Sequence, residues 1–181
     1  ADLPDRFSLV GLSMGGYAAL KVIELAGKRV ERLALLDTNA RADAPDVSAR
    51  RRGLLALSAK GDFKGVTPRL LPLYIHESRL QDVALADAIT AMAEGLGPDV
   101  FRRQQTAILG RVDQRETLAN FQAPVLVICG RQDQVTPLFL SEEMADLAPA
   151  GELLVIEECG HLSTMERPEP VTEALLRWLG A

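Results

Sequence analysis

The sequence predicts an α/β fold: a mostly parallel sheet with flanking helices and a helical lid insertion. Three observations predict it. Four short apolar runs, Phe7–Leu12, Val30–Leu36, Pro124–Cys129 and Glu152–Glu157, are nearly continuous, as strands buried on both faces are. Stretches with helical periodicity follow each run, so the strands are joined by crossovers rather than hairpins. Between the second and third runs, residues 39–120 hold no convincing strand and several helix patterns.

In chain order, 1–6 is short and polar, broken by Pro4, and leads into the strand at Phe7–Leu12. Gly16–Ala26 reads as a helix on its run of Ala, Leu, Val and Ile, with Gly27 as C-cap. Val30–Leu36 is the second strand, which closes a βαβ unit with an expected right-handed crossover. Asp46–Lys60 is helix-like, and Arg50, Arg51 and Arg52 read as its solvated face. Gly65–Ile75 is apolar but interrupted by Pro68 and Pro72, so only short helical pieces fit. Leu80–Leu96 places Leu85, Ala88, Ile89, Met92 and Leu96 at helical spacing, and Pro98–Leu109 and Gln114–Asn120 are further helix candidates. The sheet resumes at Pro124–Cys129. Pro137–Leu147 is a helix, Glu152–Glu157 the next strand, and Pro170–Leu179 a closing amphipathic helix with Val171, Ala174, Leu175 and Trp178 inward. The domain reading is therefore a core of 1–38 and 121–181 interrupted by an insertion at 39–120. Insertions of that size in a sheet protein most often cover an active site.

Composition excludes several function classes. The 181 residues are 48% hydrophobic and carry a net charge of −5, which argues against nucleic-acid and anionic-membrane partners. Aromatic residues are only 4%, too few for a base-stacking surface. No apolar run approaches the roughly 18 residues of a membrane span. Cys129 and Cys159 lack metal-type spacing and read as reduced packing thiols, with a disulfide between neighbouring strands the alternative. Low cysteine content and no visible signal peptide lead to a cytoplasmic expectation. Nothing calls for a metal or a cofactor.

The chemistry gathers at strand ends. Phe7–Gly16 runs an apolar strand into Gly11-Leu12-Ser13-Met14-Gly15 and then into a helix, a G-x-S-x-G elbow. So tight a turn strains the serine backbone, and glycine is expected at 11 and 15 because side chains there would strike the adjoining strand and helix. The helix behind aims free N–H groups at any oxyanion formed on Ser13. Asp133 and His161 also lie just past strand ends, and in a parallel sheet those ends share one edge. Serine needs a base, imidazole titrates near neutrality, and a carboxylate fixes the imidazole tautomer. Asp37 ends a strand on the same edge and is the alternative acid. His76, beside Glu77 in the insertion, reads as solvated or locally hydrogen-bonded.

These motifs, with Gly130-Arg131-Gln132-Asp133-Gln134-Val135-Thr136-Pro137 and Gly160-His161-Leu162-Ser163-Thr164-Met165-Glu166-Arg167-Pro168, resemble the α/β-hydrolase superfamily in its esterase and enol-lactonase branch. The resemblance implies Ser13 as nucleophile, His161 as base, Asp133 as acid and the Met14 backbone N–H as one oxyanion donor. It implies a small-molecule ester or lactone with an apolar portion as substrate. Carbon–carbon hydrolases of the fold commonly carry Asn at the place of Leu12 and Trp at that of Leu162, which counts against that branch; perhydrolase chemistry uses the same triad. A ligand-binding module of little turnover, or an inactive fragment, is the reading from another class. The family places several strands, and a loop with the second oxyanion donor, before the elbow strand. None precedes Ala1, so the expectation is the C-terminal part of a longer hydrolase, or an open sheet edge covered by a missing N-terminal segment or a homodimer partner.

Overall fold

The computed structural model describes residues 4–60 and 69–180. Its sheet has four parallel strands: β1 (Phe7–Leu12), β2 (Val30–Leu36), β3 (Val125–Gly130) and β4 (Gly151–Ile156), in the spatial order β1-β2-β3-β4. Register runs Leu12↔Leu36 and Leu36↔Ile128, so the C-terminal ends of β1, β2 and β3 are level with one another. β3 is buried along its whole length, which is why Val125–Cys129 is uninterrupted apolar sequence. β1 pairs with β2 alone, and among the described residues its outer edge has no strand.

Helix α1 (Met14–Ala26) follows β1, and α6 (Leu138–Leu147) follows β3. Both lie on one face of the sheet, where Leu20, Ile23, Leu33, Leu35, Val127 and Met144 form one core. The short α7 (Ser163–Glu166) and α8 (Pro168–Leu179) follow β4. On the opposite face Val171, Ala174 and Trp178 of α8 meet Ala34, Leu126 and Ile128, and Leu175, the fourth residue of the inward set read from the sequence, is partly buried beside them.

Between β2 and β3 stand α2 (Pro45–Ala59), α3 (Leu71–Tyr74), α4 (Val83–Leu109) and α5 (Arg115–Ala119). Asp82 caps α4 by accepting the Leu85 N–H at 3.0 Å. α4 breaks at Gly97, whose φ of 70° precedes Pro98, so the two helix patterns in the sequence are two helices joined across a kink. No strand occurs between β2 and β3 among the described residues, and residues 61–68 of the proline-interrupted stretch lie outside them. α5 departs from the rest: Leu118, with Phe121 just after it, packs into the α1–α6 core. The segment from α3 into α4 instead buries Leu71, Ile75, Leu85 and Ile89 against Leu162 of the His161 turn, with Leu12 alongside. No described helix is long and apolar enough to cross a membrane.

Arg51 is not a solvated residue. It is half-buried and bonds Asp43 at 2.6 Å and Gln105 at 2.9 Å, joining α2 to α4, while Arg50 and Arg52 are exposed. Both cysteines are free and buried.

Candidate active site

Ser13 sits between β1 and α1 with φ 50° and ψ −115°, the strained turn that the motif requires. The helix begins at Met14 rather than at Gly16, so the serine is its N-cap position. An N–H in the first turn has no acceptor within its own helix, which leaves the Met14 N–H beside the serine. The glycines divide the work differently from the expectation. A Cβ on Gly11 would lie 2.4 Å from the Gly15 carbonyl oxygen, so Gly11 admits the backbone of the first helical turn. A Cβ on Gly15 would meet nothing within 4 Å, which overturns the steric reason given for that position. The crowded neighbour is Gly16, whose Cβ would strike the Thr38 side chain at 2.4 Å. The end of β2 fastens the turn: the Ser13 N–H donates to Leu36 O at 2.9 Å, and the Thr38 hydroxyl donates to Ser13 O at 2.7 Å.

Asp133 lies in the loop after β3, 4% exposed. Its Oδ1 accepts the N–H groups of Val135 (2.8 Å) and Thr136 (2.9 Å), an Asx turn closed by the chain's own direction change. Its Oδ2 accepts the Thr136 hydroxyl at 2.7 Å and lies 2.8 Å from His161 Nδ1. His161, in the turn after β4, is 2% exposed, and its Nε2 is 2.8 Å from Ser13 Oγ. One hydrogen-bonded chain therefore runs Ser13–His161–Asp133, across residues far apart in sequence. The four bonds to Asp133 fix its carboxylate plane, which leaves Oδ2 to hold Nδ1 as the protonated nitrogen and Nε2 as the acceptor facing serine.

Three residues to which the sequence reading gave no role complete this arrangement. Thr136 both donates to Asp133 and lies 3.4 Å from His161 Nδ1. Tyr74 O, from the insertion, accepts the His161 N–H at 2.8 Å, and the two rings are 6.1 Å apart. Glu166, 1% exposed, accepts the Gly160 N–H at 2.9 Å and the His76 N–H at 2.6 Å, so it links the His161 turn to the insertion. The sequence marked that residue only as a member of the Gly160–Pro168 motif. His76 is locally bonded as expected: its Nδ1 accepts the Ser78 N–H and caps a short turn.

Asp37 reaches the same edge but a different set of partners. It is fully buried with φ 45°. Its Oδ1 accepts the Gly130 N–H at 3.1 Å, and its Oδ2 accepts the Ser163 N–H at 3.2 Å and the Ser163 hydroxyl at 2.5 Å. The position of acid against the imidazole Nδ1 is held by Asp133, so the alternative acid is corrected to a carboxyl bonded elsewhere. Burial pushes the Asp37 carboxyl up to about 7; the Ser163 and Gly130 donors and the nearby imidazole hold it down, and the charge of Asp133 adds to the rise.

Asp37, Cys129 and Asp133 bring ligand-type atoms within 4.8 Å of one another, the one such group among the described residues. The donor set does not suit a metal. Both carboxyls are spent on N–H, hydroxyl and imidazole partners, and burial pushes the Cys129 thiol up to about 12, against the thiolate that a metal needs. A cavity of about 340 Å³ opens beside Met14, lined by Ala18, Ala40, Ile108 and Val112 with Tyr17 and Arg111 at its polar parts.

The sequence model described as the alpha/beta hydrolase family matches residues 1–174. The chain belongs to that family. Among solved structures, this hydrolase-family chain superposes on a thermophilic esterase from Thermogutta terrifontis with a TM-score of 0.89 at 31% identity, over 97% of its own length and 65% of the esterase. It is 30% identical over 173 residues to the pimeloyl-[acyl-carrier protein] methyl ester esterase of Nitrosomonas europaea, covering 69% of that protein. The enol-lactonase of Burkholderia xenovorans LB400 shares the fold with a TM-score of 0.84 at 22% identity. The chain thus spans about two thirds of the length of the relatives it matches.

Proposed function

We propose that this chain carries the Ser-His-Asp machinery of a serine hydrolase that cleaves a small carboxylic ester or lactone. The observation behind the proposal is the chain of 2.8 Å contacts from Ser13 Oγ to His161 Nε2 and from His161 Nδ1 to Asp133. His161 takes the Ser13 proton as Oγ attacks the substrate carbonyl. The tetrahedral oxyanion forms over the start of α1, where the Met14 N–H donates to it. Its collapse transfers the His161 proton to the leaving alcohol and leaves an acyl group on Ser13. Water, deprotonated by His161, then releases the acid and restores the serine. Asp133 keeps Nδ1 protonated throughout and stabilises the imidazolium.

Two relatives whose printed names are esterases support the ester class. The largely apolar cavity beside Met14 suits an apolar portion of the substrate. The insertion at 39–120 acts as the lid, since its apolar face rests on the His161 turn. The outer edge of β1 is the place for a further strand, from a preceding segment or a second copy.

A fluorophosphonate probe tests the reading. Mass spectrometry should find one adduct on Ser13 in the wild type and none in Ser13→Ala. Absence of any adduct on folded wild-type chain would sink the proposal for this chain, and tight ester binding without an adduct would replace it with a binding role.

A further inference from the structure

The residues at the end of β2 touch every arm of the site. Leu36 O and the Thr38 hydroxyl hold the Ser13 backbone, at 2.9 Å and 2.7 Å. Asp37, between them, reaches the other two arms: Gly130, three residues before Asp133, and Ser163, two residues after His161. The left-handed backbone at Asp37 sends its carboxyl and the Thr38 hydroxyl to different arms. A fully buried carboxyl with no cation bonded to it among the described residues is costly, and a left-handed Asp is strained as well. Packing alone would be served by a small neutral residue.

We propose that Asp37 is a positioning residue, which acts through Ser163 to hold His161 in line with both Ser13 and Asp133. This rests on the hydrolase reading for its catalytic meaning but not for its geometry. Each of the three bonds that Asp37 accepts comes from a donor N–H or O–H, so the carboxylate form, which prevails above about pH 7, satisfies all of them at once. An Asn amide in its place turns a donor toward one of those donors. Ser163→Ala removes one bond and leaves the Ser163 N–H in place. In either variant the His161 turn gains freedom relative to β3, and the 2.8 Å contacts at both imidazole nitrogens lengthen together.

The test uses Ser163→Ala and Asp37→Asn with two readouts. The first is the low-field NMR resonance of the His161 Nδ1–H proton, with His76→Gln to separate the two histidines. The expected result is an upfield shift of that resonance in both variants, since a longer bond from Nδ1–H to Asp133 Oδ2 deshields the proton less. The second is the rate of fluorophosphonate labelling, expected to fall about 10- to 100-fold with misalignment approaching 1 Å, while KM for an ester stays near the wild-type value. A folded Ser163→Ala chain with a wild-type Nδ1–H resonance overturns the proposal, whatever its stability. If Asp37→Asn does not fold, Ser163→Ala decides alone. A wild type that never labels removes the hydrolase reading and leaves the Nδ1–H resonance to judge Asp37.

Discussion

The two glycines of the G-x-S-x-G elbow should respond oppositely to alanine. At Gly11, a Cβ would sit 2.4 Å from Gly15 O and 2.6 Å from Gly15 C, both backbone atoms that no rotamer change can move aside. Ordinary contact begins near 3.4 Å, so the first turn of α1 must retreat by about 1 Å. Overpacking of this kind costs about 1–3 kcal/mol. The retreat also carries Ser13 and the Met14 N–H away from His161, and a misplacement of about 1 Å costs on the order of 10² in rate. Gly15→Ala meets nothing within 4 Å, and Gly15 is not among the positive-φ glycines. Replacing a helical glycine there stabilises by about 0.4–1 kcal/mol through the unfolded state. Urea midpoints and fluorophosphonate labelling rates of the two variants check both halves. Equal damage from the two substitutions, or wild-type labelling by Gly11→Ala, would refute the steric argument.

Three other outcomes follow from the same structure. Asp133→Asn should lower kcat by about 10⁴, because an amide donating to Nδ1 selects the wrong imidazole tautomer; steady-state ester hydrolysis measures it. Asp37 keeps its proton to about pH 7 in the folded chain against 3.8 in the reference state, so the folded form binds more protons between those values. The stability contributed by the neutral carboxyl is then complete below about pH 4 and lost as pH rises toward 7. Wild type should exceed Asp37→Asn in stability by more at pH 5 than at pH 8 in urea titrations, and a difference that grows with pH would contradict the raised carboxyl. Glu166→Gln leaves one of two buried N–H donors, Gly160 or His76, facing an amide donor. A loss of about 1–3 kcal/mol is expected, with faster hydrogen exchange at the His76 amide.

The strands and the elbow were legible because their signals are local. β3 reads as apolar sequence since both its faces are covered, and the break at Gly97-Pro98 follows from the chemistry of those two residues alone. The strand ends that carry Ser13, Asp133 and His161 could be placed on one edge because a parallel sheet aligns them. What the sequence left hidden depends on partners far along the chain. Asp37 and Ser163 are 126 positions apart, and no spacing rule joins a strand-end acid to a serine after a histidine. Glu166 binds His76 across 90 positions. The exchange of roles between Gly15 and Gly16 escaped for a different reason: which of two adjacent glycines is crowded depends on helix phase, and the helix starts at Met14, not two residues later. α5 looked like part of the insertion because it is contiguous with it, whereas Leu118 is drawn into the core by α1 and α6.

The three buried carboxyls in and beside the His161 turn also bear on what the proposed hydrolysis would release. Asp37, Asp133 and Glu166 are each less than 5% exposed, and the partners of their carboxyls are N–H groups, hydroxyls, a thiol and the imidazole, with no lysine or arginine side chain bonded to those carboxyls among the described residues. A neutral ester, the substrate proposed above, would enter such surroundings without electrostatic opposition. The acid product of the proposed reaction would lose its proton beside the carboxylate that faces the imidazole, with little water to screen the two charges. The same burial that secures the histidine would thus favour release of the product.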